Sequence, residues 1–168
     1  MALSEELKEL YASGGDDVIL HTLSFNHPAW STPFYLVRDW NDLTVNLENS
    51  GPSTLFQKFA FNITGPNKDE NGTQSLQIEV DAVSREFVDL LELAIVDENN
   101  SPIEVTYRLY LSSDTTGPQN DPPLKLWLKK VSVTNNTVSG KAELVGLINR
   151  KFPNILYGNE FRSLVKSL

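Results

Sequence analysis

The sequence predicts a mainly β domain with one flanking helix. Three features of its 168 residues carry that reading. Short segments in which apolar and polar residues alternate recur along the chain, the period of a strand with one buried face. One long stretch, 84–95, instead spaces its apolar residues three and four apart. Clusters of Gly, Pro, Asn and Asp separate these segments.

Taken in order, Ser4 to Ala12 places Leu7, Leu10 and Tyr11 on one side and Glu5, Glu6, Lys8 and Glu9 on the other. That is a short amphipathic helix, ended by Ser13-Gly14-Gly15. Two turns are marginal alone, so it must dock on its own domain or on a neighbour. Val18 to Phe25 reads as the first strand and turns at Asn26-His27-Pro28. Phe34 to Arg38 is the next, and Pro28 and Pro33 bracket a wide tip carrying Trp30. Leu43, Val45 and Leu47 alternate as a third strand. Asn49 to Ser53 breaks it, and Leu55 to Ile63 follows as a fourth.

Gly65 to Gln74, with Asn67, Lys68, Asp69 and Glu70, holds no apolar residue and predicts a mobile connection able to touch a partner. Ser75 to Asp114 then reads as strand, helix, strand and organises the rest. Leu76, Ile78 and Val80 form the first strand. In the helix, Phe87, Leu90, Leu91, Ala94 and Ile95 make one apolar face, Ser84 is the N-cap, and Val83 and Val88 form a hydrophobic staple. Asp97 to Pro102 stops it, and Ile103 to Leu111 alternates for nine residues. Ser112 to Pro123, with Gly117, Pro118 and Asp121, is a second long polar loop, of a length that is usually functional or disordered.

Leu124, Leu126, Leu128, Val131 and Val133 turn at Asn135-Asn136 and return as Val138 to Leu144, a hairpin. The final segment, 145–168, carries Phe152, Tyr157 and Phe161 without a clean period, and Pro153 and Gly158 limit any helix. It predicts irregular structure packed on the core or on another subunit. Residues 1–168 read as a single domain, with 1–14 as an N-terminal helical arm and 145–168 as a C-terminal packing segment.

Composition narrows the function. A net charge of −8 argues against a general nucleic-acid binder, because phosphate affinity rests on excess Lys and Arg. The absence of cysteine removes disulfides, thiolate metal sites and a thiol nucleophile, and fits assembly in a reducing cytoplasm. No apolar run approaches the roughly 20 residues of a membrane span, and the first residues lack the pattern of a signal peptide. The expectation is a protein that stays soluble in the cell that makes it. The three Asn-x-Thr triplets at 62, 71 and 135 are then chance matches to the glycosylation pattern.

Candidate chemistry is sparse. His21 shares a strand face with Ile19, Leu23 and Phe25 and reads as a packed, hydrogen-bonded histidine rather than a base. His27 is not at helical spacing from it, so the pair makes no zinc site. Ser112-Ser113-Asp114 lacks the glycines of a nucleophile elbow. Asp69-Glu70 and Asp97-Glu98 are adjacent carboxylates, whereas glycosidase acids face each other across a cleft. Gly65-Pro66-Asn67-Lys68 lacks the second Gly and the Gly-Lys-Ser/Thr ending of a phosphate loop and reads as a turn. Trp30, Trp40 and Trp127 could stack on sugars, although burial in a core or interface is commoner. These residues predict no catalytic group, no metal and no cofactor.

Segments from end to end carry a resemblance. They are Leu3-Ser4-Glu5-Glu6-Leu7-Lys8-Glu9-Leu10-Tyr11, Ile19 to Phe25, Val37-Arg38-Asp39, Val83-Ser84-Arg85-Glu86, Ile103-Glu104-Val105-Thr106-Tyr107-Arg108, Tyr110-Leu111-Ser112-Ser113-Asp114 and Asn149-Arg150-Lys151-Phe152-Pro153. In these the chain resembles a family of phage minor tail proteins, catalogued as a domain of unknown function and carried among the tail-tip genes of siphophages. The resemblance implies a β-sandwich or barrel like those of tail-tube and distal tail proteins. It also implies a mechanical role: a homohexameric ring at the virion's tail tip, joining the tail-tube protein to the central hub, with DNA sliding through an acidic lumen unbound. No catalytic residue is implied. The surfaces expected to meet neighbours are the N-terminal helix with Leu7, Leu10 and Tyr11, the Trp30 tip, the two polar loops and the C-terminal segment. The competing expectation is a receptor- or carbohydrate-binding β-module of the tail, exposing Trp30 or Trp40 in a groove.

Overall fold

The computed structural model describes residues 2–14, 17–48, 51–68, 74–81, 85–97, 101–134 and 137–144. Its elements are β1 (Ala2–Leu3), α1 (Glu5–Ser13), β2 (Ile19–Asn26), β3 (Phe34–Val37), β4 (Leu43–Asn46), β5 (Ser53–Lys58) and β6 (Phe61–Lys68). They continue as β7 (Gln74–Val80), α2 (Arg85–Ile95), β8 (Ile103–Leu111), β9 (Asn120–Asp121), β10 (Leu124–Thr134) and β11 (Thr137–Leu144). The fold is mainly β with a flanking helix, as the periodicity predicts. The strand–helix–strand unit is β7, α2 and β8. In space, however, β10 and β11 separate β7 from β8, so α2 crosses between strands that do not touch.

One nine-stranded sheet has the order β4-β5-β3-β2-β8-β10-β11-β7-β6. Every pair is antiparallel except β3 with β5. β5 and β6 are two halves of one bent strand, with only Phe59 and Ala60 between them. Before the bend β5 pairs with β3, and Phe59 N donates to Val37 O at 2.9 Å. Past it, Asp81 N donates to Ala60 O at 2.8 Å and β6 pairs with β7. The two ends of the sheet are thus joined through a single chain segment, and the sheet closes into a barrel.

The inner face is set by register. Phe25 faces Val105, Leu126 faces Val105 from the other side, Ala142 faces Leu76 and Phe61 faces Val80. Against this face α2 buries Phe87 and Leu91, the middle of its predicted stripe. Phe87 stacks on Phe34 at 4.8 Å and meets Phe25 edge-on at 5.0 Å. At the opposite end of β2 and β8, α1 lays Leu7 over Leu109 and Leu111. Ser4 caps that helix through its hydroxyl, which accepts from Leu7 N at 3.2 Å. Gly14, in the left-handed conformation at φ 65°, ends it. A third cluster, Leu20, Val37, Val45, Phe56 and Tyr110, packs the β4–β5 hairpin on the outer face.

Several expectations are corrected. Gly65 to Gln74 is not all connection: β6 runs to Lys68 and β7 starts at Gln74, and Asp69 and Glu70 lie outside the described residues. The register shift between Thr64 and Asn67 accommodates Gly65-Pro66, where proline cannot donate to a ladder. Ser112 to Pro123 is not a free loop. It folds back on the chain, burying Gly117, Gln119 and Asn120, and Ser4 N donates to Gln119 O at 2.9 Å. The proposed cap Ser84, the staple residue Val83, and Phe152, Tyr157 and Phe161 lie outside the described residues.

Candidate functional site

Among the described residues, two sizeable cavities each bring sequence-distant elements together. The larger, about 300 Å³, opens on the inner face and is lined by His21, Arg38, Phe61, Ile63, Leu76, Tyr107 and Leu124. His21 and Tyr107 point the same way because His21 faces Leu109 in the ladder and Tyr107 is two residues from Leu109 on β8. Their rings stack with centroids 6.0 Å apart, and His21 Nδ1 lies 2.7 Å from the Tyr107 hydroxyl. Arg38 follows β3 and is anchored by its N–H, which donates to His21 O at 2.9 Å. Burial, and secondarily the Arg38 charge, hold His21 below its ordinary pKa. Burial, with a smaller contribution from Tyr11, pushes the Tyr107 phenol up to about 12. The pair therefore stays neutral around pH 7 and is bonded to itself, which is the packed histidine that the strand pattern predicts.

His27 is elsewhere. It is buried, Nε2 donates to Ser101 O at 3.0 Å and Nδ1 accepts from Ala29 N at 3.2 Å, so the ring ties the turn after β2 to the chain just before β8. The serines of Ser112-Ser113-Asp114 give their hydroxyl protons to Asp17. Those bonds, the Ser113 hydroxyl's first, hold the Asp17 carboxyl below the usual range. Asp114 is likewise lowered, chiefly by the Thr116 hydroxyl. Among the described residues no group of three His, Asp or Glu side chains is placed to hold a metal ion.

The second cavity, about 240 Å³, is a surface groove between α2 and the far half of the β10–β11 hairpin. Val88, Leu91, Glu92, Ile95, Ile103, Val131 and Val133 line it. β10 pairs with β8 only from Leu124 to Leu128, then shifts register around Lys129 and runs on from Lys130 to Thr134 paired with β11 alone. Among the described residues nothing pairs with the other edge of that extension. Beside it Ile95, the last residue of α2, and Val96 after it are each 78% exposed. Apolar side chains beside an unpaired strand edge form an adhesive surface.

Of the candidate interface residues, the structure puts Leu7, Trp30 and Gly117 inside the molecule, correcting their expected place at its surface. Leu7 is needed to cover β8. Trp30 closes the α2 end, where its Nε1–H donates to Leu90 O at 2.7 Å. Leu10 and Pro118 are half-buried, Tyr11 and Asp121 are exposed, and Asn67 and Lys68 belong to β6. Trp40 is 89% exposed in the turn after β3, and neither cavity includes it. The groove residues are absent from the expected set, although the alternating valines 131 and 133 and the helix end at Ile95-Val96 were visible as apolar positions.

No curated protein matches the chain. One family model, described as Domain of unknown function (DUF1833), matches residues 5–157. That span runs from the first turn of α1, through both helices and the whole closed sheet, to beyond β11, and the chain accordingly belongs to the DUF1833 family.

Proposed function

We propose that the protein is a structural subunit of a siphophage tail tip, with no enzymatic activity. Copies close into a ring of six that joins the tail tube to the central hub. The observation that carries this reading is the projecting half of the β10–β11 hairpin beside the apolar face of α2. A cyclic ring needs a surface on each subunit that fits a different surface of the next. An unpaired edge flanked by Ile95, Val96, Val131 and Val133 supplies one such surface, and its lysines, Lys129 and Lys130, discourage indiscriminate strand pairing. The acidic balance suits a lumen through which DNA slides without adhering. The tail-tube and hub proteins are the partners above and below the ring.

Light scattering of the purified protein, followed by electron microscopy of the same sample and of whole particles, tests this reading. A closed ring, or density for one at the tail end, is expected. A stable monomer absent from particles would overturn it. The nearly complete exposure of Trp40 favours a second reading, a carbohydrate-binding module of the tail. That reading requires glycan-array binding that Trp40→Ala abolishes.

A further inference from the structure

Trp40 and the α2 groove lie at opposite ends of the barrel. β2 runs beside β8 with Ile19 facing Leu111 and Asn26 facing Glu104. On the other side of β2, Val37 faces Thr22 and Arg38 N donates to His21 O, so the chain leaving β3 heads for the Leu111 end, where α1 packs. Trp40 sits in the turn that follows. The groove is at the Ile103 end: β10 leaves β8 there, and Val131 and Val133 lie beyond it. β8 has nine residues, so these ends are roughly 25 Å apart at the rise of a strand. The Trp40 turn cannot fill the groove of its own chain.

The two surfaces match in chemistry. Among the described residues Trp40 is the most exposed of the large apolar side chains, and an indole in water has much to gain from an apolar seat. The groove, about 240 Å³, presents six apolar side chains and Glu92, whose exposed carboxylate is an acceptor for the indole N–H. Asp39 and Asp42 flank Trp40 and accept from backbone N–H groups, those of Trp40 and Lys58. Arg38, the cation beside them, lines the His21 cavity instead. Lys129 and Lys130 stand exposed where the hairpin leaves β8, and among the described residues no ion pair engages either lysine or either aspartate. Opposite charges thus flank the indole and the hairpin side of the groove.

We propose that the Trp40 turn of one copy seats in the α2 groove of a second copy, with the indole against Ile95, Val131 and Val133 and with Asp39 and Asp42 toward Lys129 and Lys130. This rests on the assembly proposed above and gives it both faces of its contact. Each subunit carries one face at either end of its barrel, so the contact is heterologous and can repeat from copy to copy.

Two variants of the full chain each remove one face: Trp40→Ala, and Val131→Asp with Val133→Asp. In analytical ultracentrifugation Trp40→Ala should weaken self-association about thirty-fold or more, the loss of a central aromatic anchor, at an unchanged melting temperature. Each variant alone should sediment as a monomer where the unaltered protein associates. Mixed, they should form a one-to-one dimer and nothing larger, because the valine variant keeps its Trp40 and the Trp40 variant keeps its groove. A second measurement leaves the valines alone. The chain has no cysteine, so Asn41→Cys mixed with Lys130→Cys should form an interchain disulfide about ten-fold faster than Asn41→Cys mixed with Asn62→Cys, on the outer side of β6. Equal rates overturn the proposal, as does Trp40→Ala that associates like the unaltered protein, or an unaltered protein that stays monomeric at the highest concentration it tolerates. The ring and the contact fail separately. A ring that persists in Trp40→Ala overturns the contact and leaves the ring, whereas open chains that both variants abolish overturn the ring and leave the contact.

Discussion

Asn120 is a side chain standing in for a strand. β10 stops pairing with β8 at Tyr107, and beyond that point the Asn120 amide takes over the ladder: its Oδ1 accepts from Leu109 N at 2.9 Å and its Nδ2 donates to Tyr107 O at 3.1 Å. The residue is fully buried, so Asn120→Ala leaves two backbone groups without partners. We expect a loss of about 2–3 kcal/mol in urea unfolding. Asn120→Asp should not rescue it, because a carboxylate cannot donate to Tyr107 O. Tyr107 itself makes stability depend on alkaline pH. Its folded pKa, about 12, lies above the value of 10.0 expected when unfolded, so its contribution is fully present below pH 10 and is lost as the pH rises toward 12. Tyr107→Phe should reduce the fall in unfolding free energy between those values without abolishing it, because burial also pushes the Tyr110 phenol up, and a slope equal to that of the parent protein would refute the assignment. Neither role could be read in the sequence. Asn120 sits in a Pro-rich stretch that spells a turn, and its work depends on β8 outrunning β10, which only the three-dimensional register reveals.

At the scale of elements, the helices and most strands were legible because each has a single buried face. The period of α2 named Phe87 and Leu91, and both are buried against the sheet. The shift in β10 was legible too, in retrospect. Leu124, Leu126 and Leu128 are apolar at even positions, then Val131 and Val133 at odd ones, and the register slips between Leu128 and Lys130. Without that slip the valines would face away from the groove. Gly140 lies beside the slip: a Cβ there would come within 2.6 Å of Leu128 Cδ1, a side chain that is itself in the core and would have to move. Gly140→Ala should cost about 1–3 kcal/mol, measured as a lower denaturation midpoint at unchanged m-value. What periodicity missed is polar chain recruited into structure. Asn67-Lys68 and Asn120-Asp121 join ladders because neighbouring strands offer partners, whatever their own side chains prefer.

For the whole molecule, the groove gives a separation of stability from assembly. Val131 and Val133 are 36% and 47% exposed and end the hairpin away from the main core, so changing both to Asp should lower the melting temperature only modestly while abolishing any oligomer seen by light scattering. A collapse of both together would mean that the hairpin tip serves folding and not association. Closure of the sheet was hidden in the sequence because Leu55 to Ile63 alternates almost straight through the bend at Phe59-Ala60, with nothing to mark a change of neighbours. That bend also governs how the chain reaches its native state. Until residues 53–68 have engaged both sides, β3 and β7 are open edges, and the contacts that close them join Val37 to Phe59 and Ala60 to Asp81. A refolding chain therefore exposes two templates for strands of other molecules before it can hide either. Refolding yield should fall steeply with protein concentration even where the folded protein stays in solution.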